Sequence, residues 1–124
     1  MKYPKDLKYN EEHLWVKVER DEALIGITDY AQSKLGEILF VEMPDVGDEL
    51  RINDELSVVE SSKKASTILS PVSGEILEIN ERLDDEPEYI NGAPYDAWIV
   101  RIGLNNKSEL NDLFDAEQYK DILG

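Results

Sequence analysis

Cysteine is absent from this 124-residue sequence, and histidine occurs once, as His13. The lack of cysteine excludes a disulfide framework, a thiolate metal site and a cysteine nucleophile, so any thiol chemistry must come from an attached group. A single histidine excludes a histidine metal cluster, and a Ser-His-Asp triad would have to use His13, which we interpret as structural. The phosphate-binding pattern GxxxxGK is also missing. We therefore expect a protein that is not an enzyme.

Long apolar runs and basic residues are scarce as well. No apolar stretch approaches the length of a membrane span, and the N-terminus, MKYPKDLKYN, is too polar for a secretory signal. The chain has 13 Lys and Arg against 28 Asp and Glu, a formal net charge of −15. Such a charge disfavours binding to nucleic acid and anionic membranes, and favours basic protein partners. We expect a cytoplasmic protein with no nucleic-acid or membrane partner.

Apolar residues alternate with polar ones in several short stretches, as in strands that bury one face. A hairpin is predicted from residues 14–18 and 23–27, and further strands at residues 38–41, 76–79 and 98–104. The chain is long enough to bury a core without cross-links. We predict a single domain over residues 1–124. Its core should span about residues 9–104, and a C-terminal helical segment about residues 108–122.

Helix signals are found at two places. Thr28 followed by Asp29 predicts a capped helix over residues 29–35, and Gly36 could end this helix in a left-handed conformation. Near the C-terminus, Ser108 is predicted to cap a helical turn. The final helix should begin with a capping box, formed by Asp115 and Gln118.

An acidic stretch with turn signals, residues 81–96, precedes the last predicted strand. It contains Asn91-Gly92 and Pro94, residues that favour turns and interrupt regular elements. We predict an irregular loop that is ordered by its apolar residues Tyr89 and Ile90.

The most distinctive stretch is LSVVESSKKASTILSPVSGEILEIN (residues 56–80), in which two apolar runs flank a polar tip. The flanking residues favour short strands, and a type I turn at the tip would need no glycine, so a hairpin is predicted. Such a hairpin would hold a lysine amine open to a modifying enzyme. Taken without further information, a Lys-Lys pair at a polar turn is usually a pair of solvated surface lysines, because a long cationic side chain in water needs no other explanation. The tip consists of Glu60, Ser61, Ser62, Lys63 and Lys64.

Together with its neighbouring segments, this tip resembles the glycine cleavage system H proteins, small carriers with lipoate attached to one lysine. The family motif usually reads ESVKA, and the tip reads ESSKK, with Ser62 and Lys64 in place of Val and Ala. The resemblance implies one covalent lipoate per chain, on Lys63, supported by the other tip residues. Collinear matches cover nearly the whole chain: His13, Trp15 and Val16, then residues 26–50, 58–64, 70–80, 85–91 and 108–119.

The fold that the resemblance implies is mostly β, of the lipoyl/biotinyl-carrier type. This fold is a barrel-sandwich hybrid of two small pseudo-symmetric sheets, here with short peripheral helices. A weak internal echo agrees with it, because VGDEL (residues 46–50) and VSGEI (residues 72–76) both place a glycine ahead of an acidic-apolar pair.

The resemblance also implies a function. A carrier of this kind would shuttle the aminomethyl group of glycine from glycine decarboxylase to an aminomethyltransferase on its lipoyl-lysine arm. Dihydrolipoyl dehydrogenase would reoxidise the arm, and a lipoate-attaching enzyme would have installed it. A tether gives the end of the arm an effective concentration on the order of mM at a docked partner.

Three positions depart from the family pattern, and they are the candidates for an arm pocket. H proteins commonly have Glu, His and Asp where this chain has Leu14, Lys34 and Thr67. A carboxylate could hold a protonated aminomethyl nitrogen, whereas Leu14 and Thr67 could not and Lys34 would repel it. The usual Gly-Glu-Gly-Trp before the last strand is replaced by YDAW (residues 95–98).

These departures leave alternatives open. One is an H-like lipoyl carrier for another pathway, such as lipoate assembly or sulfur-compound oxidation. A biotinyl carrier is a further alternative, although the lack of Met on either side of Lys63 argues against it. The last is an interaction module with no attached group.

Overall fold

The computed structural model describes residues 1–124 and contains two antiparallel β-sheets and five short helices. None of these helices has the length and apolarity to cross a membrane. The strands are β1 (Lys8–Tyr9), β2 (Leu14–Glu19), β3 (Glu22–Ile27), β4 (Ile38–Glu42), β5 (Glu49–Leu50), β6 (Glu55–Ser61), β7 (Ala65–Leu69), β8 (Gly74–Ile79) and β9 (Val100–Leu104). The helices are α1 (Asp29–Leu35), α2 (Arg82–Asp85), α3 (Tyr89–Gly92), a 3₁₀ helix (Lys107–Asp112) and α4 (Ala116–Leu123).

The predicted mostly β class with two sheets and short helices is confirmed. One sheet has six strands in the order β1-β2-β3-β9-β8-β5, and the other has three in the order β4-β6-β7. Both predicted hairpins are present, β2 with β3 and β6 with β7. Arg20, at the first of these turns, has a φ of 60°. The tip of the second hairpin contains no positive φ, as expected for a glycine-free turn.

The internal echo in the sequence corresponds to a local two-fold arrangement. The second half of VGDEL forms β5, which pairs antiparallel with the β8 strand of the second segment, so that Glu49 lies opposite Glu75. Outside the ladder, the Gly47 N–H donates to the Ile76 carbonyl at 2.8 Å, and the Ile76 N–H donates to the Asp48 carbonyl at 2.8 Å. Equivalent residues that face each other across an antiparallel pair are related by a two-fold axis between the strands. This pairing supports the predicted pseudo-symmetry locally, although the two sheets differ in size.

Apolar side chains form two buried clusters. The larger contains 19 residues and joins the inner faces of both sheets to α1, α2 and α3, with Leu14, Ile25 and Ile102 among them. The smaller is formed by Leu7, Tyr9, Trp15, Ala116 and Tyr119, and it holds α4 against the N-terminal strands. Burying one side chain of this size contributes roughly 1.5–3 kcal/mol, so the larger cluster dominates the stabilisation.

The prediction of an irregular loop over residues 81–96 is wrong in part, because α2 and α3 lie within it. Each helix has only four residues, too few for a 3.6-residue apolar periodicity to be recognised. Each is nevertheless anchored by one fully buried residue, Leu83 in α2 and Ile90 in α3. The predicted ordering role of Ile90 is confirmed, and Tyr89 is partly buried against the same core cluster.

Two predicted boundaries near the C-terminus need correction. The last strand begins at Val100 and not at residue 98, because Ile99 and Val100 are both buried and strand alternation is lost there. The 3₁₀ helix is capped by Asn106, whose side chain accepts the Ser108 N–H at 3.1 Å, so Ser108 is not the cap. The capping box of α4 is confirmed: Asp115 and Gln118 each accept a backbone N–H from the other.

Candidate functional site

The candidate site is the tip of the β6–β7 hairpin with its surroundings, and helix α1 and the residues that end it lie beside this tip. Thr28 caps the helix, its hydroxyl accepting the Ala31 N–H at 3.2 Å, as predicted. Gly36 ends the helix with a φ of 81°, as predicted, but its ψ of −158° is extended and not left-handed helical. Only glycine adopts this combination without strain. It turns the chain directly from α1 into β4.

The hairpin tip is shaped by Ser61. The Ser61 N–H donates to the Lys64 carbonyl at 2.8 Å, and its hydroxyl donates to the same carbonyl at 3.0 Å. The same hydroxyl oxygen accepts the N–H groups of Lys63 and Lys64, each at 3.2 Å. A serine side chain that bonds the backbone two and three residues ahead stabilises a tight turn without glycine. The predicted support residue Ser61 therefore sets the conformation of both lysines.

The tip rests on the residues that follow α1. The Ser62 N–H donates to the Glu37 carbonyl at 2.9 Å. A methyl group added at Gly36 would lie 3.3 Å from Ser62 Oγ and 3.4 Å from Lys63 Cε, so the Lys63 stem runs close alongside Gly36. Lys63 is exposed, and its amine takes part in no salt bridge.

Asn91 braces this segment from the other side, a role that the sequence analysis missed. Its side-chain oxygen accepts the Ile38 N–H at 2.9 Å. Its amide nitrogen donates to the Gly36 carbonyl and to Gln32 Oε1, both at 2.9 Å. The Asn-Gly dipeptide had been interpreted only as a turn signal, and nothing in the sequence relates residue 91 to residues 36–38.

A cavity of about 410 Å³ lies between α1 and the hairpin. Of the predicted arm-pocket residues, only Lys34 lines it. Leu14 is 1% exposed and belongs to the core. Thr67 is exposed and lies on the opposite face of β7 from the cavity-lining Ser66 and Ile68, since successive strand residues alternate. The structure does not bring the three candidates together; the lining is Glu12, His13, Ile27, Tyr30, Ala31, Lys34, Leu35, Lys64, Ser66 and Ile68.

The cavity has a cationic lining in a strongly acidic protein. Lys34 and Lys64 contribute two positive charges, and Glu12 is the single carboxylate among the lining residues. Lys34 Nζ lies 5.4 Å from the centroid of the Tyr30 ring, within the range of a cation–π contact. The two adjacent lysines of the tip differ in position, because Lys64 lines the cavity and Lys63 does not.

His13 links this cavity to the C-terminal helix. Its Nδ1 lies 2.9 Å from the Tyr119 hydroxyl, which is in turn 2.8 Å from the hydroxyl of Thr28. The His13 and Tyr30 rings are 4.7 Å apart. Burial lowers the pKa of His13, opposed by a smaller upward effect of Glu12, and burial raises the pKa of Tyr119 to about 12. These contacts agree with the interpretation of His13 as structural.

Comparison with known proteins finds similarity over almost the whole chain. The family model described as Glycine cleavage H-protein matches residues 7–124. The chain is 50% identical over 125 aligned residues to the glycine cleavage system H protein of Staphylococcus carnosus, covering 100% of this chain and 99% of the relative. The corresponding protein of Halalkalibacterium halodurans is 50% identical over 97% of this chain and 94% of its own length.

A solved structure is similar as well. The crystal structure of a glycine cleavage system H protein from Mycobacterium marinum aligns with a TM-score of 0.90 and 30% sequence identity, and the alignment covers 98% of each chain. At this coverage the alignment extends over both sheets and the helices. It is therefore not confined to one motif.

Proposed function

Because this chain belongs to the glycine cleavage H-protein family, we propose that it is a lipoyl carrier of the glycine cleavage system, with the lipoyl group attached to Lys63. The whole chain acts as one carrier domain and does no catalysis itself. Its partners are glycine decarboxylase, an aminomethyltransferase, dihydrolipoyl dehydrogenase and a lipoate-attaching enzyme.

The observation that carries this proposal is the position of the Lys63 amine. It is exposed at the end of a hairpin whose turn is held by the hydrogen bonds of Ser61, and no carboxylate pairs with it. An attached group must extend away from the protein surface, so the residue that carries it must be accessible and its backbone must be held in place. These features fit an amide-linked lipoyl group.

A lipoyl group bound there supplies a dithiolane, which accepts electrons and carries a small group. The residues of the chain do the positioning. Ser61 and the Ser62 contact to Glu37 fix where the arm begins, and Gly36 leaves room beside the Lys63 stem. The net charge of −15 steers the carrier toward basic surfaces of its enzymes.

The proposal is tested by reconstitution. Lipoylated protein is incubated with glycine and glycine decarboxylase, and the aminomethyl adduct is measured by intact mass. Aminomethyltransferase and tetrahydrofolate are then added, and we expect the adduct to disappear as folate product forms. The Lys63→Arg variant should show neither step. Lipoylated wild type that gains no adduct would refute the glycine cleavage assignment.

A second candidate, a lipoyl carrier for another pathway, is favoured by the charges of the cavity. Lys34 and Lys64 line it with a single carboxylate, Glu12, so a cationic aminomethyl group would meet more repulsion than attraction there. An uncharged or anionic cargo would suit the same lining better.

The survival of the adduct separates the two candidates. If aminomethyl is the native cargo, the loaded wild-type arm should lose it no faster than a variant with Lys34→His and Lys64→Ala. If the native cargo is different, the wild type should lose it several-fold faster than this variant. Both substitutions are at exposed residues, so the core is unaffected.

A further inference from the structure

Strand β4 exposes two large apolar side chains in succession. Leu39 is 54% exposed and Phe40 is 49% exposed, whereas Ile38 and Val41 on either side are each 1% exposed. In a regular strand neighbouring side chains point to opposite faces, so an adjacent exposed pair needs an irregularity. The exposure of both residues is therefore built into the strand.

A β-bulge provides that irregularity. Ile38 pairs with Ser61, and Phe40 pairs with the adjacent residue of β6, Glu60. Leu39, which lies between Ile38 and Phe40, is therefore the extra residue of the bulge. Bulges redirect side chains at specific places in a sheet. Here the bulge turns Leu39 outward and leaves Phe40 on the outer face, directly opposite Glu60.

The apolar pair lies next to the proposed attachment lysine. Its strand partner β6 leads directly into the hairpin tip, and the residue before β4, Glu37, accepts the Ser62 N–H at 2.9 Å. Any protein surface that encloses the Lys63 amine must also cover the residues around the tip. Leu39 and Phe40 are the exposed large apolar residues within this region.

Carboxylates surround the pair, and none of them is neutralised. Glu37, Glu42, Glu60 and Glu88 are all exposed, and none forms a salt bridge. Glu37 and Glu88 line a shallow cavity of about 220 Å³ together with Leu39. An apolar centre with an unpaired acidic rim is complementary to an apolar pocket bordered by Lys and Arg.

We propose that Leu39 and Phe40, with this acidic rim, are the docking surface for the enzyme that acylates Lys63. The inference rests on the proposed function. The acylating enzyme is the partner that must contact this surface, because the lysine amine itself has to enter its active site. There Nζ attacks the activated carboxyl carbon of lipoate, an amide bond forms, the bond to the activating group breaks, and the amine loses a proton to solvent. Enzymes that act on the dithiolane work at the far end of the arm.

The test compares acylation rates with a lipoate ligase, lipoate and ATP as co-substrates. The test variant is Leu39→Ser with Phe40→Ser, and the control variant is Val46→Ser with Ile122→Ser, which removes two other exposed apolar side chains. We expect the test variant to lower kcat/KM at least about tenfold through KM, with kcat little changed, as for loss of a docking contact. The control should stay within about twofold of wild type.

Charge variants give a second, independent readout. Glu42→Lys with Glu88→Lys should lower kcat/KM several-fold at low salt, and the difference from wild type should shrink as ionic strength rises. The control is Asp6→Lys with Asp121→Lys, which makes the same charge change at exposed residues elsewhere. A test variant of either kind that is acylated as fast as its control would overturn the docking proposal. Wild type that is not acylated on Lys63 would instead refute the proposed function.

Discussion

At the scale of single residues, the main feature is a pair of adjacent lysines in different surroundings. The Lys63 stem runs beside Gly36, and Lys64 lines the cavity between α1 and the hairpin. A shift of one position therefore moves an attached group to a different part of the surface.

The first prediction is that Lys63, and not Lys64, is acylated. Lys63→Arg keeps the positive charge and removes the primary amine, so the variant should gain no lipoyl mass after treatment with a lipoate ligase. Lys64→Arg is the matched control and should be modified as wild type is. Intact mass and peptide mapping measure both. A lipoyl group found on Lys63→Arg would contradict the assignment.

A second prediction concerns Gly36. Alanine there must adopt a φ of 81° and places a methyl group 3.3 Å from Ser62 Oγ. We expect Gly36→Ala to lower the free energy of unfolding by about 1–3 kcal/mol, measured by urea denaturation. Gly92→Ala is the control, because a methyl group there meets nothing within 4 Å and the position is helical. That control should be neutral or stabilising by up to about 1 kcal/mol. Equal loss in both variants would argue against strain at Gly36.

A third prediction follows from the lowered pKa of His13. Its pKa in the folded state is below the ordinary value of 6.5, so the unfolded chain binds more protons between the two values. This contribution to stability is present above pH 6.5 and is lost as the pH falls through the folded pKa. His13 has a φ of 66°, which asparagine tolerates. Between about pH 8 and about pH 5.5, wild type should therefore lose more unfolding free energy than His13→Asn. An equal loss would rule out His13 as the titrating group.

At the scale of elements, the site depends on contacts between segments that are distant in sequence. Helix α1 ends at Gly36, and the Ser62 N–H of the hairpin tip donates to the carbonyl of Glu37. Asn91 of α3 forms hydrogen bonds with the backbone on both sides of Glu37. Of the two short helices in the acidic stretch, α3 therefore supports the segment beneath the tip. Their acidic residues are mostly exposed, whereas their few buried side chains connect them to the core.

A fourth prediction tests this support. Asn91→Ala removes three hydrogen bonds and leaves the Ile38 N–H without its partner, so we expect a loss of about 1–3 kcal/mol in unfolding free energy. The acylation rate of Lys63 should also fall, because the segment under the tip becomes less constrained. Asn111→Ala, at an exposed residue whose side chain makes no hydrogen bond, is the control. Unchanged stability of Asn91→Ala in urea would show that the brace is dispensable.

At the scale of the whole molecule, the core and the proposed attachment point are separate. The 19-residue cluster lies within the two sheets and the helices packed on them, whereas Lys63 is at an exposed tip. Modification at the tip should bury little of the apolar surface of the unfolded chain. Most of the residues that form the core are thus distant from the proposed attachment point.

The fifth prediction is that the protein folds without lipoate. Melting temperatures of the unmodified and lipoylated forms, measured by calorimetry, should differ by only a few degrees, because the attached group adds few contacts. Both transitions should be cooperative. An unmodified form without a cooperative transition would mean that the arm is part of the core.

Local order was determined by the sequence itself. Alternating apolar residues predicted the β2–β3 hairpin, and strand-forming flanks predicted the β6–β7 hairpin. Thr28, Asp115 and Gln118 predicted the caps of α1 and α4, because strand patterns and helix capping depend on residues close together in the chain. The glycine-free turn was predictable for the same reason. Family resemblance added the lipoyl/biotinyl-carrier type of the fold and the expectation that Lys63 in the ESSKK tip carries lipoate.

Only the tertiary structure decided what surrounds that tip. Sequence reasoning grouped Leu14, Lys34 and Thr67, but β-strand registers and faces put Leu14 in the core and Thr67 on the outer face of β7. It missed the brace by Asn91, the link from His13 to Tyr119 and the bulge at Leu39. Each of these depends on which segments pack together, and packing is a property of the whole chain. Local propensity does not determine this packing, because the same short sequence can lie in different surroundings in different folds.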